Sequence, residues 1–453
     1  MRATRYIAAA LLAIAAGCGG QTGVIAIRLV AAPDSDLLSR IERVHAVLSE
    51  PLTEVDAVRG ADGQLRLDLE IPAEDGSAFL VVEVFDADGE RIAIARSGPL
   101  PITAVNAVVT MYAAPPLSFA EAPVALDPPR SEIGAALLPY GAILLGGRDA
   151  GGQPSDQVVV YNVYDHDLQE GAPLPEARAA ATAVAGDIGR VYLFGGLDAD
   201  GTTRGDGWFF DTGVAPAGVY GELAIEGDLA RAGAAGVAVG NETFLVTGAP
   251  AVQVNGATSR VKEWPDAPPL ADGAAARLTA DDSGATEVLV AGLGVGETGA
   301  VVYDGDAYRD VSAPDEVRRS GHAVVALPGG RALVVGGALD TGEPAGSALV
   351  YDPADDELAV LGDFLATPRT EAAIAATSHH VIVAGGVDAG GAVSGDAEVF
   401  DAATLDPVAT LPLVVPRRGA AALPMSNGQV LVAGGVDADG EPVGLLELFT
   451  PDS

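Results

Sequence analysis

Short apolar runs of about six residues, separated by glycine, proline and acidic turns, fill the chain from about residue 117 to its end. Residues 319–337, R-S-G-H-A-V-V-A-L-P-G-G-R-A-L-V-V-G-G, show the unit: two buried strands joined by a Pro-Gly-Gly turn and closed by a double glycine. The shape returns at 369–386 and 417–435, so that Gly337, Gly386 and Gly435 stand 49 residues apart. A fixed period near fifty residues predicts stacked repeats, and four strands per period predicts propeller blades. Seven double-strand signals end at Gly146-Gly147, Gly195-Gly196, Gly248, Gly292, Gly336-Gly337, Gly385-Gly386 and Gly434-Gly435. The third and fourth have lost one glycine each and their spacing slips to 52 and 44 residues, yet Phe244-Leu245-Val246 and Val288-Leu289-Val290 keep them recognisable. The last unit stops after its third strand, at 445–449. Residues 117–126 supply a candidate fourth strand, which would close the ring and remove its free sheet edges. Seven blades are expected; six, with one degenerate unit misread, is the alternative.

The third strand of the unit carries Tyr351-Asp352 and Phe400-Asp401, with Phe449 at the matching place in the last unit. With an arginine and a small-residue strand leading to a strand that ends in Gly-Gly, this pattern resembles the kelch repeat over residues 117–453. The resemblance implies an all-β fold, a kelch-like β-propeller of residues 116–453, usually a binding scaffold and only sometimes an enzyme. It also implies that the first strand of each unit is innermost.

Residues 24–113 lack the period. Residues 24–29, 64–71, 80–85, 91–95 and 105–112 read as short strands, the second alternating Leu65, Leu67, Leu69 and Ile71. Such a series over about ninety residues predicts a small, immunoglobulin-like β-sandwich. Residues 37–48 are ambiguous, because Leu37, Leu38, Ile41, Val44, Val47 and Leu48 also have helical spacing; a small α+β domain is the alternative. Pro115-Pro116 marks the boundary.

The first residues change the picture of where the protein resides. Arg2 and Arg5 precede an apolar run at 7–16, about half a bilayer crossing, and Gly17-Cys18 follows. Residues 1–17 therefore read as a signal peptide, and A-A-G-C resembles a bacterial lipobox with Ala15 where leucine is usual. The resemblance implies lipidation of Cys18, a polar spacer at 18–23 and attachment by acyl chains alone, with Gly19 favouring the outer membrane. Cys18 is the only cysteine, so no disulfide framework and no cysteine-based metal site is expected.

Net charge is −38 and the sequence pI is about 4.2, which excludes a phosphate backbone as a favoured partner. Against this acidity, an arginine stands before the first strand of most units: Arg130, Arg178, Arg231, Arg319, Arg369 and Arg417. A ring of guanidiniums would suit a carboxylate or sulfate ligand. Its recurrence in nearly every unit fits bracing of neighbouring blades better. The acidic loops 198–201, 388–391 and 437–440 could begin calcium loops, but each holds at most two carboxylates, and Asp-Gly is ordinary turn chemistry.

His45, His166, His322, His379 and His380 are dispersed, and the adjacent pair would point to opposite faces of a strand, so no metal is expected. Galactose oxidase combines a kelch-like propeller with a copper and a Cys–Tyr crosslink, which residues 116–453, lacking cysteine, cannot form. No sialidase-type box, nucleophile elbow or phosphate loop is present. The expectation is a monomeric, non-catalytic envelope scaffold without cofactor that binds an envelope protein or glycan through propeller loops. A carbohydrate-active enzyme or glycan-binding protein working at the channel mouth is the alternative.

Overall fold

A computed structural model describes residues 22–60, 68–72, 76–101, 107–186, 189–214, 217–225, 230–240, 242–264, 268–278 and 286–452. Cys18 and its leader, and the first half of the strand expected over 64–71, lie outside the described residues. Among the described residues no helix is long and apolar enough to cross a membrane.

The periodic region folds into antiparallel sheets arranged in chain order. The first consists of Gly134–Leu138, Gly141–Leu145, Val158–Asn162 and Asp167–Glu170. Burial grades across it as the sequence pattern demands. The first strand alternates, the second (G-A-I-L-L) is buried throughout, and the fourth (D-L-Q-E) is largely exposed. Two-sided burial explains why second strands read as unbroken Val, Leu, Ile and Ala rather than as an alternation. The sixth sheet repeats this order with Ala373–Ala376, His380–Ala384, Asp396–Asp401 and Pro407–Pro412.

The last sheet is built from both ends of the region. Ala421–Pro424, Val430–Ala433 and Leu445–Thr450 are completed by Ser118–Ala125, which pairs antiparallel with the C-terminal strand, Phe119 opposite Phe449. The first strand of each sheet touches the first strand of the next. The series runs from Gly134–Leu138 through Thr182–Ala185, Gly236–Gly240, Ala274–Arg277, Ala323–Ala326, Ala373–Ala376 and Ala421–Pro424, and back to Gly134–Leu138. Each sheet thus buries one face against its predecessor and the other against its successor. One apolar cluster joins Ile382 and Val399 to Val430 and Phe449, and another joins Leu431 and Leu448 to Leu144 and Tyr161. This is a propeller-like architecture, with its core distributed between sheets.

The N-terminal region forms two main sheets. Thr22–Val30 pairs antiparallel with Asp68–Pro72 and parallel with Ala107–Tyr112. The second sheet orders Thr53–Val58, Arg43–Leu48, Leu80–Phe85 and Arg91–Arg96. Ile25, Ile27 and Leu29 meet Val44, Ala46, Leu80, Val82, Ala93 and Ala95 in one core between them. The ambiguous segment resolves into a single helical turn, Leu37–Arg40, followed by the strand Arg43–Leu48. Backbone partners on both sides of 43–48 outweigh its helical spacing, since an interior strand satisfies every N–H and C=O it offers.

Candidate binding cleft at the junction of the two regions

The six arginines singled out by the repeat are all bonded within the protein, and five of them are buried. Arg130, Arg178, Arg319, Arg369 and Arg417 are at most 1% exposed. Arg417 shows how such a group is accommodated. Its Nη1 donates to Gly434 O and Leu445 O, and its Nη2 to Glu447 Oε1 at 2.5 Å. Glu447, equally buried, also accepts from the backbone N–H groups of Val414 and Val415. Arg369 repeats the scheme with Gly385 O, Asp396 O and Glu398. Arg130 and Arg319 bond carbonyls without a carboxylate on the guanidinium, and burial pulls both down to about 10. Arg178 turns to Glu176 and Asp206, and the half-buried Arg231 to Thr247 O and Pro250 O.

The backbone of four of these arginines ties a sheet to the one before it, Leu293 N donating to Arg319 O. Gly147 N donates to Arg178 O, Gly196 N to Arg231 O and Gly386 N to Arg417 O. The double glycine is required by this approach. A Cβ on Gly385, at φ +63°, would lie 2.2 Å from Arg417 O. His322 adds another brace between sheets, its buried Nε2–H donating to Ala291 O, and burial draws it down to about 4.

The acidic loops close on themselves. Asp198 Oδ1 accepts from the N–H groups of Asp200 and Thr202, Asp388 from Gly390 and Ala392, and Asp437 from Asp439 and Glu441. Among the described residues no group of three His, Cys, Asp or Glu is placed to hold a metal ion.

Concave space lies elsewhere, where the N-terminal region meets the propeller. The contact is polar and specific. Tyr164 Oη donates to Pro99 O, and Tyr112 N donates to His166 Nε2 at 3.0 Å. Because Nε2 accepts, the proton of the neutral ring sits on Nδ1, which faces Tyr161 Oη at 2.8 Å. Full burial holds His166 down to about 3.

Beside this contact, a cleft of about 640 Å³ is bounded by Phe79 and Arg96 of the N-terminal region and by turns linking the first two strands of three propeller sheets. These turns are held by their own chemistry. Gly329 supplies φ +79° in the Pro-Gly-Gly turn, Thr377 Oγ1 accepts from His379 N and His380 N, and Asn427 Oδ1 accepts from Gln429 N. Gln429 is fixed in turn by Thr450. The lining combines the apolar Phe79, Leu327, Pro328, Pro424, Met425 and Pro451 with the polar Thr377, Ser378, His379, Ser426 and Asn427. Among the described residues its fixed charge is the guanidinium of Arg96, and neither aspartate nor glutamate lines it.

Comparison with known proteins leaves this site unassigned. No family model and no curated protein matches the chain. Solved structures do match; one, titled "Structure of YjhT", is 15% identical, covers 73% of this chain and 96% of its own, and has a TM-score of 0.47.

None of the residues expected to form a site lines the cleft; His379, considered for a metal, does. Arg96, Phe79 and Ser426 carried no repeated signal, because the cleft is assembled from segments more than 200 residues apart. The legible trace is local. In 91–96 the alanines at 93 and 95 face the sandwich core, so alternation sends Arg96 to the opposite face.

Proposed function

We propose that the chain is a non-catalytic binding scaffold of the bacterial cell envelope, a seven-bladed kelch-like propeller behind a small immunoglobulin-like sandwich. A lipid on Cys18 would hold it to the outer membrane, each buried methylene contributing roughly 0.8 kcal/mol. The cyclic contact of first strands and the recurrent arginine-to-glycine bonds support the propeller reading. The observation that carries the binding reading is the cleft, shared by both regions and lined by neutral polar and apolar groups around one guanidinium. Among the described residues its lining offers a guanidinium amid neutral groups, which suits binding of a ligand.

In-cell crosslinking and pull-down with the full-length protein tests this, using Cys18→Ala to release the anchor and Ser426→Trp to fill the cleft. Stoichiometric recovery of one envelope protein, lost with Ser426→Trp, is expected. Recovery of glycan alone moves the reading to a glycan-binding protein, and capture indifferent to Ser426→Trp removes the cleft from it.

A further inference from the structure

Arg96 differs from every arginine of the repeat. Those are bonded to carbonyls or carboxylates, whereas Arg96 has no hydrogen-bond or ion-pair partner among the described residues. It is half-buried at the end of Arg91–Arg96 and lines the cleft, and burial alone lowers it from its ordinary value. In a chain with 63 acidic residues, this cleft guanidinium has no carboxylate beside it among the described residues, and a guanidinium is suited to receive an anion.

We propose that this cleft binds a monocarboxylate with an apolar body, its carboxylate on Arg96 and its apolar part against Phe79, Leu327, Pro424 and Met425. The inference rests on the scaffold reading and names the ligand class of the same site. Three features select that chemistry. A planar guanidinium matches a carboxylate through two parallel hydrogen bonds. A single cation neutralises one charge, while the net charge of −38 repels polyanions such as nucleic acid or polyphosphate. Phe79 is 43% exposed, an aromatic surface free to be covered. The volume of about 640 Å³ suits a small molecule or the last residues of a peptide.

The test is calorimetric titration of the full-length protein with two matched pairs: 3-phenylpropionate and its amide, and N-acetyl-Ala-Val-Phe as acid and as C-terminal amide. Saturable binding of an acid is expected, with its amide weaker by about tenfold or more, the range of a charge-assisted hydrogen bond. Binding of phenylpropionate points to a free small acid, and binding of the peptide acid alone to a protein C-terminus. Arg96→Gln should abolish the preference for acid over amide while leaving thermal unfolding intact, and Arg96→Lys should restore part of it. Ser426→Trp, which leaves Arg96 in place, should block both acids. Equal binding of acid and amide, both blocked by Ser426→Trp, overturns the carboxylate inference and leaves the scaffold standing. A preference that survives Arg96→Gln, or no saturation of any probe below about 10 mM, overturns it too. Binding untouched by Ser426→Trp overturns the cleft as the site and this inference with it, and leaves the scaffold reading to the pull-down.

Discussion

In the sixth and seventh sheets, the arginine before the first strand is buried with a glutamate, Arg369 with Glu398 and Arg417 with Glu447. At the third and fourth sheets the same positions are held differently. Arg231 is half-buried and bonded to carbonyls, and Leu270, fully buried, offers its carbonyl to Gly248 N as the arginines do elsewhere. Thr247 stands where the other units have their first glycine. The contrast separates two requirements that the regular units combine. The backbone bond between sheets is found in both versions, to Arg417 O in one and to Arg231 O and Leu270 O in the other. The buried ion pair is one of two ways to fill the space behind it, as expected where charge desolvation offsets most of the Coulombic gain.

Glu447→Ala should break the regular version most severely, since it strands Arg417 without its carboxylate and Val414 N and Val415 N without an acceptor. A loss of about 3–5 kcal/mol in denaturant unfolding is expected. Arg417→Leu combined with Glu447→Leu, which imitates Leu270, should recover at least half of it. If the double variant is no better than the single, the ion pair is not replaceable and the comparison fails.

Gly385→Ala should cost about 3 kcal/mol, because a left-handed backbone and the Arg417 carbonyl both oppose a methyl group there. Thermal unfolding of the variant measures the loss.

The junction should respond to acid. The folded pKa of His166, about 3, lies below the ordinary value of 6.5, so the unfolded chain takes the proton first. Stability is unaffected above pH 6.5 and falls as pH drops from 6.5 toward 3, by about 1.4 kcal/mol per pH unit from this residue. Between pH 7 and 5, His166→Asn should lose about 2 kcal/mol less than the parent chain. Equal losses would place the acid sensitivity elsewhere, His322 and His380 also being drawn down by burial.

The smallest effect is expected for Arg231→Leu, about 1 kcal/mol, since its position is half-buried and its bonds to Thr247 O and Pro250 O are open to replacement by water. A loss as large as that of Glu447→Ala would erase the distinction between the two kinds of unit.

Much of the fold is legible in the chain because the repeat writes one local requirement many times. Gly385-Gly386, the arginine at 417 and the all-apolar second strand each answer a contact with a neighbour of nearly the same kind. The two roles weighed for the arginines needed the structure to separate, since a guanidinium facing a channel and one turned onto Gly434 O have the same sequence neighbours. The strand Arg43–Leu48 was ambiguous for a related reason: its spacing fits two periods, and partners on either side decide between them.

The sequence by itself determined the period, the strands that end in glycine and the distributed apolar core, because these depend on residues close in the chain or repeated along it. Tertiary structure alone decided which charges are satisfied and which is left open. Arg96 and Phe79 meet Ser426 and Pro451 only when the N-terminal region docks on the closing sheets. Such a contact leaves no periodic mark, since each residue in it occurs once and its partner lies in another region.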